Sequence, residues 1–324
     1  MIAWGHRSDV TRDLPCAHAP ADLIVHPDEP ETIVQRLPVI GQTFTHSAFE
    51  SVQRAAMEAA GVELAIERWE RRPHELPDAI EALRRTEFAG ALVINPHKEK
   101  VSGLVDSLSD DARSTGAVNI VVHEGERLRG YNSDVDGLRA GLTALLPKAH
   151  GKWPRGAVVL GAGGGARAAV AVLVASGFQH IAIFNRHLHR AEAVVAHYAR
   201  QTRHMELRAR PWHETIMEAE LARAGLLINA LGGGVEGDAS PIAATLLPES
   251  LYLLDLVLDR SATSLMRHVK DRGGTVANGQ ASFLASSAET FRRLTGTAAE
   301  PAVMRQALAA ELGPAADASP VVGD

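Results

Sequence analysis

The chain has a single cysteine, Cys16, among 324 residues, which excludes an internal disulfide and fits a reducing cytoplasm. It has no excess of basic residues. The formal net charge of −6 offers no positive field to a nucleic acid, so no polyanion partner is expected. No stretch is long and apolar enough to span a bilayer. Residues 1–35 have no signal-peptide core, being broken by Asp9, Arg12, Asp13 and several prolines. There is also no internal repeat. These absences predict a soluble, cytoplasmic protein with a small molecule as its partner, and a homodimer is compatible with them.

What is present is ordinary globular material, 46% hydrophobic and 22% charged, in a length that predicts two domains. Residues 1–36, with Pro15, Pro20, Pro27 and Pro30, read as an irregular extension, and 314–324 as a frayed tail. From Leu37 the pattern alternates. LPVIGQTF is strand-like, Ala48 to Ala60 helical, ELAIERW strand-like, Asp78 to Arg85 helical, and GALVIN strand-like. Val101, Leu104, Val105 and Leu108 then have the spacing of a helix face, and NIVVHEGERLRGYN reads as a hairpin turning near Gly125. Residues 137–146 predict a helix at a domain boundary. Further strands follow at LLINA, YLLDLVL and TVAN, and two helices close the chain. The alternation predicts a parallel α/β architecture.

The most informative local feature is the run AVVL followed by GAGGGARAAV. It predicts a buried strand, a turn that needs glycine, and a helix whose free N–H groups face an anion. In the fingerprint G-x-G-x-x-A, Gly161 permits the turn, Gly163 admits a pyrophosphate, and Ala166 allows close helix packing, with Gly164 and Gly165 between them. The next strand, HIAIFNR, ends without the Asp or Glu that takes ribose hydroxyls in an NAD site. Arg186 and Arg190 stand there instead. Two guanidinium groups suit a 2′-phosphate, so NADP is the expected cofactor.

Three segments carry candidate chemistry. In NPHK, Pro96 ends a strand and Lys98 opens a helix at the carboxyl edge of the sheet, where α/β folds place ligands; the alternative is a solvated cation. In GYNSD, Asp134 is either a catalytic carboxylate or a helix N-cap. In GAVN, Asn119 is able to donate to and accept from a hydroxyl, or to sit in a turn. His187 and His189 have no carboxylate or cysteine to complete a ligand set, so no metal is expected.

In order and spacing, GALVINPHKEKV, ARSTGAVNIVV, LRGYNSDVDG, VVLGAGGGARAAV, FNR, LLINA and LLDLV resemble the shikimate dehydrogenase family, from about Val39 to Leu312. The resemblance implies two α/β domains flanking a cleft. Residues 37–136 plus 281–313 would form the substrate-binding domain, and 137–280 a Rossmann-type NADP-binding domain. It implies Lys98 and Asp134 as the catalytic pair, Asn119 on a substrate hydroxyl, Ser47 as the first serine of a Ser-x-Ser motif, and Asn185, Arg186 and His187 as the cofactor motif. It also exposes departures. Phe49 replaces the second serine, Glu50 a proline, and Gln53 and Arg54 a His-Asn pair. Leu92 replaces an asparagine, Ile94 a threonine, Ser286 a glutamine and Leu258 a tyrosine.

Lost polar partners change substrate discrimination by roughly 10⁴-fold, so substrate choice should shift more than cofactor choice. The expected activity is reversible hydride transfer between NADP and a ring secondary alcohol or its ketone. The substrate would be shikimate, in aromatic amino acid biosynthesis, or a related cyclic hydroxy compound. The rival readings are a quinate or other hydroxyacid dehydrogenase using NAD, and a non-catalytic NADP-binding regulatory protein. A methylenetetrahydrofolate dehydrogenase shares the two-domain layout and an active lysine but has no GYNSD-type segment.

Overall fold

Strands β1, Gln35–Gly41, and β2, Leu64–Glu70, pair in parallel from Gln35 on Leu64 to Gly41 on Glu70, and helix α1, Ala48–Ala60, makes the crossover. The computed structural model describes residues 35–42, 44, 48–147, 153–199, 202, 204–231, 239–258 and 262–312, all in one compact unit, Val34–Asp324. The expected N-terminal extension up to Val34, the C-terminal tail and Ser47 lie outside the described residues.

After helix α2, Leu76–Ala82, strand β3, Gly90–Val93, joins β1 on its other side. Helix α3, Lys98–Val101, strand β4, Ser107–Leu108, and helix α4, Asp110–Thr115, follow. Strands β5, Ile120–Glu124, and β6, Arg127–Tyr131, form an antiparallel hairpin whose turn uses Gly125 at φ 64°. The six-stranded sheet runs β2-β1-β3-β5-β6-β4.

Helix α5, Asp134–Leu145, leads to a second six-stranded sheet. It is built from β7, Gly156–Leu160; β8, His180–Phe184; β9, Glu206–Arg210; β10, Leu226–Asn229; β11, Tyr252–Asp255; and β12, Thr275–Asn278. Every pairing is parallel and the order is β12-β11-β10-β7-β8-β9, the doubly wound order that reverses between β7 and β10. Such a sheet is covered on both faces, which is why GAVVL and the IAIF that follows His180 are unbroken apolar runs. Ala157 and Val159 enter one core, and Val158 and Leu160 the other.

Helix α6, Gly164–Ala175, follows β7 and is buried along most of its length, with Ala166, Ala168 and Ala169 fully inaccessible. Small side chains let it lie close to the sheet and to α5. Helix α7, Leu188–Tyr198, lies on the same face as α6, and helices α8, Glu214–Leu221, and α9, Ser264–Asp271, cover the other. Helix α10, Gln280–Thr295, and helix α11, Pro301–Leu312, bring Phe291, Met304 and Leu308 into the core of Leu37, Val39 and Val52, so the last described residues return to the first sheet. Gly137 and Gly141 allow α5 to cross α10 closely, since a Cβ on Gly137 would collide with the Ser282 carbonyl.

Two expectations are corrected. The helix read through Val101, Leu104, Val105 and Leu108 is a single turn, after which the chain enters β4. Hydrogen bonds from Asp106 N to Leu128 O and from Ser109 N to Gly130 O draw it onto β6, while the same four side chains still face one core. Asp134 is not the N-cap of α5. Ser133 holds that position, and the Asp134 carboxylate is engaged elsewhere. Strand β9, ELRAR, lies at the edge of the sheet and alternates in polarity as a half-buried strand does, with Leu207 and Ala209 packed against one core.

Candidate active site

Lys98 is placed by its neighbours. His97 is fully buried with Nε2 2.7 Å from the Arg71 carbonyl oxygen, and the Lys98 carbonyl accepts from Val118 N at 2.8 Å, so both sides of the turn are tied down. From there Lys98 Nζ donates to Asp134 Oδ2 at 2.6 Å, with the two side chains 16% and 18% exposed. Asp134 Oδ1 accepts from Asn119 Nδ2 at 3.1 Å, so both carboxylate oxygens are engaged. Asn132 Oδ1 accepts from Asp134 N at 3.0 Å and fixes the entry into α5.

Asn119 extends the network. Its Nδ2 donates to Ser133 Oγ at 3.0 Å, and its Oδ1 accepts from Ser133 N at 2.9 Å. The Ser133 hydroxyl lies 2.9 Å from both Ser286 Oγ and Thr290 Oγ1 on α10. Three predicted residues, Lys98, Asp134 and Asn119, therefore meet directly, and a fourth, Ser286, joins them through Ser133. Neither Ser133 nor Thr290 was singled out from sequence. Ser133 is adjacent to Asp134 and was within reach, whereas Thr290 needed the α5–α10 crossing.

The departures form an apolar flank. Phe49, Ile94 and Leu258 are partly buried against the core that contains Leu92, along with Phe44, Phe283 and Leu284. Ile94 fills the space above Gly41, where an added Cβ would lie 2.5 Å from Ile94 Cγ1. Glu50 pairs with Arg68 at 2.6 Å, Gln53 is buried and donates to the Ser287 carbonyl at 2.9 Å, and Arg54 is exposed.

The glycine turn sits at the switch point of the second sheet. Gly161 has φ 107°, and a Cβ there would lie 2.6 Å from the Ala230 carbonyl oxygen at the end of β10. Only glycine meets both conditions. Gly163 is the N-cap of α6 and has open space where a Cβ would point, Gly165 makes ordinary contacts, and Ala166 is fully buried. A Cβ on Gly164 would lie 2.8 Å from Lys98 Cδ. Asn185 Nδ2 donates to the His187 carbonyl at 2.9 Å, which closes the turn after β8 and leaves Arg186, His187 and Arg190 exposed. Open space at Gly163, free N–H groups at the start of α6 and exposed guanidinium groups after β8 fit a phosphorylated dinucleotide. His187 and His189 lie with ring centroids 5.9 Å apart, and no group of three metal-ligating side chains occurs among the described residues.

Arg167 and Glu99 were also missed. Arg167 is 8% exposed in an otherwise apolar helix, and Glu99 Oε2 accepts from its Nη2 at 3.2 Å. A charged residue inside GARAAV was the signal that a partner had to exist.

A doubly wound sheet with this turn, set against a lysine–carboxylate pair, defines a dinucleotide-dependent α/β oxidoreductase. A model of the shikimate dehydrogenase substrate-binding domain matches residues 39–121, and one of shikimate / quinate 5-dehydrogenase matches 148–229. The chain is 33% identical to the shikimate dehydrogenase (NADP(+)) of Symbiobacterium thermophilum, over 85% of this chain and 94% of that one, and it belongs to the shikimate dehydrogenase family. Among solved structures, shikimate 5-dehydrogenase from Thermus thermophilus, in complex with NADP(H) and shikimate, is similar at 30% identity and TM-score 0.71, covering 86% of this chain and 100% of that one. The 5-ketofructose reductase of a Gluconobacter species is similar at 25% identity and TM-score 0.70, covering 85% and 98%. No helix among the described residues is long and apolar enough to cross a membrane.

Proposed function

We propose that this chain is an NADP-dependent dehydrogenase that interconverts a secondary alcohol on a small ring and its ketone, with shikimate and 3-dehydroshikimate or a related cyclic hydroxy compound as the pair. The observation that supports this most strongly is the Lys98–Asp134 bond of 2.6 Å lying against Gly164, the first residue of the helix expected to receive the dinucleotide. Residues 37–136 and 281–313 would hold the substrate and 137–280 the cofactor. The protein would work in the cytoplasm, and a homodimer is compatible with this reading, the oligomeric state being decided by sedimentation.

When bound, the nicotinamide supplies or accepts the hydride. The N–H groups of Gly163 to Ala166 would hold the diphosphate of NADP, and Arg186, His187 and Arg190 the 2′-phosphate of its adenosine ribose, beside the turn that Asn185 closes. In the reducing direction Lys98 Nζ donates a proton to the ketone oxygen as that oxygen becomes a hydroxyl, and in the oxidising direction it takes the proton back. Asp134 holds Lys98 in place and accepts from the substrate hydroxyl. Asn119 gives its two Nδ2 hydrogens to Asp134 and Ser133, and its Oδ1 has a second lone pair with which to accept from a neighbouring hydroxyl, with Ser47 and Ser286 as further substrate ligands and Phe49 and Ile94 against the substrate ring.

The test follows NADPH absorbance with ring alcohols that carry and lack a carboxylate. Lys98→Ala should lower turnover by roughly 10² to 10⁴ with little change in NADP affinity. Unchanged turnover removes Lys98 from the mechanism.

A further inference from the structure

Glu99 follows Lys98 on the one-turn helix α3, and the two side chains leave it toward different partners. Lys98 reaches Asp134, while Glu99 reaches the layer of helices around the second sheet. Its Oε2 lies 3.2 Å from Arg167 Nη2 on α6, and its Oε1 lies 3.8 Å from Arg190 Nη2 on α7. Arg167 also donates from Nη1 to the Thr115 carbonyl at 3.4 Å, at the end of α4. A buried guanidinium needs a counter-charge, and among the described residues Glu99 is the carboxylate paired with it. Arg190 is different. Its side chain is 48% exposed and its contact with Glu99 is long, so it stays available to an anion.

One carboxylate thus ties the helix that carries the glycine turn, and the helix that follows β8, to the residue beside Lys98. Contact between Lys98 Cδ and the Cβ position of Gly164 leaves this junction little slack. We propose that Glu99 is a positioning residue for hydride transfer, which through Arg167 holds α6 in register with Lys98. The proposal rests on the functional reading above. Misplacement by about 1 Å costs roughly 10² in rate, so a loosened junction should be read in turnover before it is read in binding.

The test compares native protein with Glu99→Gln and Arg167→Lys. NADPH binding is read by nucleotide fluorescence, folding by thermal unfolding, and kcat and KM with an active ring alcohol. Glu99→Gln should lower kcat by about tenfold or more, while NADPH affinity stays within about threefold of native or tightens, because the charge beside Arg190 is gone. Arg167→Lys keeps its charge but not the two-acceptor reach, and should show the same split. The double variant should be no slower than the slower single, since both remove one contact.

Native kcat in both singles, additive losses, or NADPH affinity and thermal stability falling in step with kcat overturns the positioning role. If Glu99→Gln does not fold, Arg167→Lys decides by the same measurements. A native protein that binds NADPH but reduces or oxidises no compound of the panel overturns the functional reading, and the positioning role with it. Active native protein with unaffected variants overturns the positioning role alone.

Discussion

A Cβ added to Gly164 would lie 2.8 Å from Cδ of Lys98, so the first residue of the dinucleotide-facing helix is pressed against the stem of the candidate acid–base residue. The backbone there is ordinary helix, which tolerates alanine. Gly164→Ala should therefore keep the folding stability or raise it by up to about 1 kcal/mol from helix propensity, read as an unchanged or higher melting temperature, while displacing Lys98 and lowering kcat by roughly 10 to 10². Paired thermal unfolding and turnover measurements separate the effects. A variant as fast as native would mean that the lysine stem yields without disturbing its bond to Asp134.

Arg186 and Arg190 are exposed beside the turn that Asn185 closes. Replacing both with alanine should weaken NADP binding by about 10- to 100-fold and leave NAD binding nearly unchanged, since only NADP carries the 2′-phosphate. The shift in melting temperature produced by each nucleotide reads this out. Equal losses for both nucleotides would place the arginines on a group that the two cofactors share.

Phe49 and Ile94 stand where the family motif has a serine and a threonine, and both are packed against one apolar core. Phe49→Ser with Ile94→Thr should raise kcat/KM for ring alcohols bearing a carboxylate by about tenfold or more relative to those without one, because polar partners return to that flank. Unchanged ratios across the substrate panel would show that substrate choice is made elsewhere.

Hydrogen bonds from the Arg84 guanidinium and then from the Leu128 amide hold the Asp106 carboxyl down at about 2. An unfolded aspartate titrates near about 3.9, so the folded state binds fewer protons between these values. The stabilisation from Asp106 is full above the unfolded value and is lost as pH falls through about 2. The melting-temperature gap between native protein and Asp106→Asn should accordingly shrink from pH 5 to pH 2. A gap independent of pH would assign Asp106 a role without its charge.

The glycine turn, the apolar strands β7 and β8, and α1 were legible because each is a local pattern. Left-handed backbone needs glycine, strands buried on both faces are continuously apolar, and an amphipathic helix repeats at its own period. The segment after Lys98 was misread for the same reason. Val101, Leu104, Val105 and Leu108 do share a core, but a turn and a short strand put them there as well as a helix would. Nothing local distinguishes the two, and the hydrogen bonds to Leu128 and Gly130 make the choice.

The sequence by itself determined that this chain carries a dinucleotide turn within an α/β layer, and which residue types were available for proton transfer. Only the tertiary structure decided which of them meet. Lys98, Asn119 and Asp134 come from three segments and meet because β3, β5 and β6 are neighbours in the first sheet, and Ser286 joins them through Ser133 because Gly137 and Gly141 let α5 lie against α10. Glu99 gained a role for the same reason. Its partners are on α6 and α7, and a contact between distant segments depends on how two sheets are packed, which no short stretch of chain encodes.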